Sequence, residues 1–306
     1  MRNAFAKQIT QIAQTDEGAA PLSGGLGHRK LDDIQEKCDG TITNCGVAEA
    51  NMIGMAAGMA MSGLRPVCYT ITPFLTYRCM EQIRVDVCYH HVPVVIVGTG
   101  AGLSYASLGA THHSCEEMGM LRLLPGLSVI APADEWEVRA AIKAAIAHPQ
   151  PVYIRIGKKG EPVVHQAEPQ FTIGKAIEML HGDDICILSA GTVLPEAMSA
   201  AKHLAARGVS TRVFSFHTVK PLDEAVLSEV FSKCKVVATL EEHSVLGGLG
   251  GAVAEWLADH SPAKARLIRF GTPDEFLHET CEQEHAREKF GMTSTAIADR
   301  LQAAVT

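Results

Sequence analysis

The chain has 306 residues, of which 47% are hydrophobic, 20% charged and only 5% aromatic, a balance that suits buried cores built from small side chains. A formal net charge of -7, with no basic stripe interleaved with aromatics, excludes nucleic acid as the main partner, because phosphate backbones reward clustered Lys and Arg. The longest apolar runs, such as 93–97, are far too short to cross a bilayer, so no membrane span is expected.

In chain order, residues 1–14 carry apolar positions at helical spacing and lack the apolar core and cleavage site of a secretion signal. Residues 46–62 predict a helix that is apolar on nearly every face. Strands are expected at 67–71, 94–97, 128–131 and 152–156, with helical patterns at 73–90 and 134–147. A polar stretch at 157–171 reads as a linker. It divides the chain into a first domain at 1–165 and a second at 172–306. In the second, strands at 185–189, 211–214, 236–240 and 267–270 alternate with helices that include 194–206 and 223–231. The expected fold class is α/β, with two domains, each a mostly parallel sheet flanked by helices. Such sheets bind ligands at the carboxyl ends of their strands. Nine cysteines, scattered without Cys-x-x-Cys pairs, argue against a disulfide framework or a zinc ribbon and fit a reducing cytoplasm.

Glu49 is the only charged residue in the apolar helix. A buried carboxyl without a partner tends to hold its proton, which makes it a candidate proton donor. A first-turn Glu that complements the helix dipole explains it equally well. Phe74 and Tyr77 are three residues apart and share a helix face, with Thr72 as the expected cap and Pro73 in the first turn. His112 and His113 follow a strand and a glycine-rich loop, where they would reach the ligand edge of the sheet. His90-His91, before a proline, is explained by helix capping. The glycine spacing of 97–102 is wrong for a dinucleotide fingerprint. His278, Cys281 and His285 share a helical face without a fourth ligand, so a surface helix is expected and no metal site.

The segment Asn44-Cys-Gly-Val-Ala-Glu49-Ala-Asn-Met resembles the motif that carries the cofactor glutamate of transketolases and deoxyxylulose phosphate synthases. The resemblance implies that Glu49 hydrogen-bonds a ring nitrogen of the thiamine diphosphate aminopyrimidine. It also implies that Tyr77 stacks on that ring and that Phe74 lines the same pocket. The Thr-His step gives His112 a role at substrate and intermediate, with His113 as a second substrate-binding candidate. Transketolases have a phosphate-binding Arg where this chain has Lys158, which can serve as a point-charge anchor or be a solvated linker lysine. The stretch from Glu241 to Gly251 resembles the turn of the family's C-terminal domain, to which no catalytic residue is assigned.

Complete enzymes of this kind bind Mg2+ through a Gly-Asp-Gly motif followed by an Asn. This sequence has no Gly-Asp-Gly, and its last Asn is Asn51. The diphosphate and Mg2+ site is therefore expected on a partner, an N-terminal-type transketolase subunit, in an α2β2 assembly. The implied reaction is transfer of a two-carbon ketol unit from a ketose-type donor to an aldehyde acceptor. Sugars or sugar phosphates are the expected substrates. Where ordinary transketolases have an Asp and a further His for substrate, this chain has Leu108 and Gly100, which weakens the expectation of a standard pentose-phosphate donor and leaves a modified or unusual ketose on at least equal terms. The β subunit of a 2-oxo acid dehydrogenase shares the layout, but its histidine segment reads Gln-His-Ser, against Thr-His-His here. A non-catalytic scaffold is the alternative of another class. Retention of Glu49 with both aromatics argues against it.

Overall fold

A computed structural model describes residues 1–25, 42–158, 160–260 and 264–305; Lys159, within the expected linker, lies outside them. Two sheets organise the described chain. The first has the order β10-β5-β6-β4-β3-β1-β2, built from β1 (Ala19–Ser23), β2 (Thr43–Asn44), β3 (Arg65–Ile71), β4 (Val95–Thr99), β5 (Ser128–Ile130), β6 (Val152–Ile156) and β10 (Thr218–Lys220). The second has the order β12-β11-β8-β9-β7, from β7 (Ile177–Leu180), β8 (Ile185–Ala190), β9 (Thr211–Ser215), β11 (Val236–Ser244) and β12 (Arg266–Thr272). All pairings are parallel except the edges, where β10 runs antiparallel to β5 and β7 antiparallel to β9.

The Val- and Ile-rich strands are buried along their whole length because helices cover both faces, as parallel sheets require. On one face of the first sheet, Phe5 and Ile9 of the N-terminal helix and Val138 and Ile142 of the helix Glu135–Ala147 pack on Val95, Val97 and Ile154. On the other face, Met52, Ile53 and Ala56 of the helix Glu49–Met61 enter a core that continues into Leu188 and Phe214 of the second sheet. The two halves thus share one apolar core. β10 adds to this continuity: it follows β9 of the second sheet in sequence yet pairs with β5 of the first.

Two elements differ from the sequence expectation. The pattern over 73–90 is not one helix: Thr72–Thr76 is followed by turns, a single turn at Met80–Gln82 and a π-helical segment at Ile83–Tyr89. Thr72 does not act as a cap, because its hydroxyl donates to the Thr99 carbonyl oxygen at 3.0 Å and so ties this helix start to β4. The helix Glu49–Met61 is not buried all round. Its Glu49, Met52, Ile53, Ala56 and Ala60 side is buried, whereas Asn51, Met55, Gly58 and Met61 are exposed.

Candidate active site

The carboxyl ends of β2, β3, β4 and β6 lie along one edge of the first sheet, and each feeds a segment bearing a candidate residue. β2 leads through Gly46 to Glu49. β3 leads into Thr72–Thr76 and onward to Tyr77. β4 leads into the 100–115 loop, and β6 leads to Lys158. Parallel pairing alone therefore gathers side chains that are far apart in sequence.

Glu49 is the first residue of its helix and is 2% exposed. One carboxylate oxygen, Oε2, accepts from Arg78 Nη1 at 3.1 Å, while Oε1 is buried without a partner. The acid is thus not alone among apolar side chains, as its sequence setting implies, but shares its pocket with a cation. The Arg78 guanidinium, half exposed, also lies 4.3 Å from the centre of the Phe74 ring, in a cation–π contact. Phe74 in turn meets His112 edge-on at 5.2 Å between ring centres, and Tyr105 also meets His112 edge-on, at 6.1 Å. Lys158 Nζ sits 4.8 Å from the centre of the Tyr105 ring. Glu49, Arg78, Phe74, His112, Tyr105 and Lys158 therefore form one continuous chain of contacts. His112 is partly exposed, and its Nδ1 is hydrogen-bonded to the Thr111 hydroxyl at 3.0 Å.

Tyr77 and His113 face elsewhere. The Tyr77 hydroxyl donates to Glu116 Oε2 at 2.5 Å, and burial together with the neighbouring Glu117 and Glu116 raises its pKa. His113 is buried, which lowers its pKa, and it lines a cavity of about 400 Å3 with Tyr77, Glu116, Phe276 and Phe290. That cavity lies between the two halves of the chain and does not contain His112 or Phe74. Among the described residues no cluster of three or more His, Cys, Asp or Glu side chains could hold a metal ion, and no helix is long and apolar enough to cross a membrane.

Arg78, Tyr105 and Glu116 are not expected from the sequence. Arg78 has a readable signal, four residues beyond Phe74 on a helical pattern. Tyr105 has none, because its place follows from Gly100. That glycine has φ +92°, and a Cβ on it would run into the Tyr105 ring. The Tyr105 ring thus occupies the space that a side chain at position 100 would need.

The chain also buries several ionisable groups. Arg155 Nε pairs with Glu117 Oε1 at 3.1 Å, and the Tyr153 hydroxyl reaches the same oxygen at 3.3 Å. Burial pushes Glu117 up to about 7 against the pull of Arg155. Glu241, also pushed up to about 7 by burial, accepts from the backbone N–H groups of Leu249 and Gly250 at 2.7 Å each, at the start of the helix Leu249–His260.

Comparison with known proteins agrees with this architecture. Residues 1–161 match the transketolase pyrimidine binding domain and residues 174–297 the transketolase C-terminal domain, so the chain belongs to the transketolase family. It is 35% identical over 298 residues to a 6-deoxy-6-sulfo-D-fructose transketolase subunit of Clostridium sp., covering 97% of this chain and 92% of that one. It is 32% identical over 302 residues to one of the subunits of the apulose-4-phosphate transketolase of Phocaeicola vulgatus, covering 97% and 96%. A solved structure described as a split gene transketolase, inactive beta4 tetramer, superposes with a TM-score of 0.89 at 33% identity, over 99% of this chain and 97% of that one. Near-complete mutual coverage places the chain among transketolases divided into separate subunits.

Proposed function

We propose that the chain is the pyrimidine-side subunit of a thiamine-diphosphate-dependent ketol transferase, working in the cytoplasm with a partner that carries the diphosphate and Mg2+ site, in an α2β2 assembly. Residues 1–165 would form the pyrimidine-binding domain and 172–306 the C-terminal domain. The observation that carries this reading is the Glu49 Oε1 atom, buried without a hydrogen-bond partner, on a carboxylate that Arg78 links to the Phe74 ring. A buried polar atom left unpaired costs about 1–3 kcal/mol, and a ring nitrogen supplied by a ligand removes that cost. The residues present therefore fit the aminopyrimidine of thiamine diphosphate. When bound, the cofactor supplies an electron sink for the two-carbon unit being transferred.

The chain's own residues then divide the work. Glu49 Oε1 would hydrogen-bond the ring nitrogen. Phe74 presents the aromatic wall, and the half-exposed Arg78 would leave its face to admit the ring, whereas Tyr77, bonded to Glu116, would reach the ring only by turning from its present position. His112 donates a hydrogen bond to the substrate oxygen where negative charge develops. Lys158 offers a point charge to an anionic end of the substrate.

The partner is supported by the exposed side of the helix Glu49–Met61. Met55 and Met61 there are 39% and 55% exposed, and Val47 just before the helix 75%. An apolar face next to a cofactor site is a surface that a second chain would cover. The solved relative made of β chains alone is described as inactive, which supports the same need. For the substrate, Gly100 and Leu108 remove a donor and a carboxylate that ordinary ketose readers use, and two relatives are named for 6-deoxy-6-sulfo-D-fructose and apulose 4-phosphate. We place the substrate among modified or unusual ketoses, free or phosphorylated.

The test is to purify the chain with the product of a neighbouring gene and to assay ketol transfer beside 2-oxo acid decarboxylation. Ketol transfer with thiamine diphosphate and Mg2+ is expected. Decarboxylation alone would transfer the chain to the dehydrogenase side.

A further inference from the structure

We propose that Glu242, on β11 of the second sheet, is a positioning residue for His112; its kinetic consequence rests on the proposed function, whereas its structural consequence does not. Glu242 is 3% exposed and reaches across to the loop of the first half that carries His112. Its Oε2 accepts the Leu103 backbone N–H at 3.2 Å. Its carboxylate is held in turn by Gln283 Nε2, 2.9 Å from both oxygens, and by the Arg287 guanidinium. Gln283 also reaches the Ser104 hydroxyl at 3.4 Å, and Arg287 Nη2 is anchored on the Thr192 carbonyl oxygen at 3.2 Å.

The far side of the loop is tied to the same residue. Arg155 Nη2 donates to the Ser114 carbonyl oxygen at 3.0 Å and to the Glu242 carbonyl oxygen at 3.1 Å. Within the loop, the Ser114 N–H donates to the Gly102 carbonyl oxygen at 3.0 Å, and the Ser114 hydroxyl donates to the Gly100 carbonyl oxygen at 2.9 Å. The stem is thus closed at 100–103 and 114, and the segment that displays Tyr105, Thr111 and His112 emerges from it. Gly102 permits the closeness: with φ +56°, a Cβ there would stand 2.5 Å from the Glu242 Cβ. Leu103, Gln283, Arg287 and Arg155 converge on one buried residue, through its carboxylate or its backbone, which fixes loop position more stringently than a lone ion pair would.

The test has a structural and a kinetic arm. In the full chain, Glu242→Gln is expected to speed amide hydrogen exchange across residues 103–113 while leaving the strands of both sheets protected. Because that variant strips Arg287 of its counter-charge, Gly102→Ala serves as an independent second variant and is expected to loosen the same amides. In the paired enzyme, Glu242→Gln is expected to lower kcat about 100-fold with KM little changed, since small misplacement of a catalytic group costs that much. That loss is expected to vanish in a His112→Ala background. Unchanged exchange at 103–113 in both variants overturns the strap. An equal fold-loss with and without His112 overturns positioning through that residue. If the wild-type pair shows no ketol transfer, the proposed function fails, and the exchange experiment still decides the strap.

Discussion

Arg78 stands at the centre of the site, 3.1 Å from Glu49 and 4.3 Å from the Phe74 ring centre. It satisfies one oxygen of a carboxylate that would otherwise be desolvated and unpaired, and leaves the other for a ligand. Close by, Gly100 and Tyr105 form a matched pair in which the missing side chain of one makes room for the ring of the other. Gly100→Ala is therefore expected to force the ring aside and to lower stability by about 1–3 kcal/mol, read by urea denaturation. An unchanged unfolding midpoint would show that the ring has space to spare. Glu49, Phe74 and His112 are legible because each belongs to a local pattern: a lone charge in an apolar run, an aromatic after a helix-starting Thr-Pro, a histidine after a glycine-rich loop. Tyr105 and Glu116 are not, because their roles depend on packing between segments distant in sequence.

The segment 160–171 is clasped to the first half by the Met1–Glu161 and Lys143–Glu168 ion pairs and, most extensively, by an acidic helix cap, Asp134. Asp134 Oδ1 accepts from the N–H groups of Trp136 and Glu137, and Oδ2 accepts from those of Val164 and His165. The pKa of Asp134 is lowered to about 2, as hydrogen bonds from the His165 ring and backbone outweigh burial. Asp134→Ala is expected to cost about 2 kcal/mol, at the upper end for a helix cap, because two segments lose their acceptor. Proteolysis within 160–171 should quicken in the same variant. Slower cleavage, or none, would contradict the clasp.

Further along, Phe171 stacks on His217 at 3.9 Å, and burial lowers that histidine to about 3. A histidine that is neutral when folded and titrates near 6.5 when unfolded contributes stability above pH 6.5, and loses it as pH falls toward 3. At pH 5 the loss is about 2 kcal/mol relative to neutral pH. His217→Phe keeps the stack and removes the titration, so its melting temperature is expected to gain on the wild type as pH falls from about 7 to about 5. Parallel melting curves for the two proteins would contradict the buried neutral ring. The strands flanking these contacts are readable as Val- and Ile-rich runs, whereas β1 (Ala-Ala-Pro-Leu-Ser) and the two-residue β2 carry too little β-propensity to be recognised. The break in the helical pattern at 77–79 is equally hidden, since no Gly or Pro marks it.

At the scale of the molecule, the layered architecture in which helices cover parallel sheets follows from the alternation of strand and helix patterns. What the alternation could not reveal is the sharing between halves: β10 completes the first sheet, and Glu242 reaches the His112 loop from the second. These are tertiary choices with no local periodicity. The exposed side of the helix Glu49–Met61 gives the corresponding prediction for assembly. Met55→Glu is expected to leave folding within about 0.5 kcal/mol of wild type, as exposed positions do, while sharply reducing co-purification with the partner. Undiminished co-purification would move the interface elsewhere. The decisive measurement is ketol transfer by the paired enzyme with Glu49→Gln. A fall of about 100- to 10,000-fold is expected, the range for loss of a positioned acid–base group, with pairing and melting temperature preserved. Full turnover by that variant, or turnover by the wild-type chain without any partner, would contradict a shared site built around Glu49.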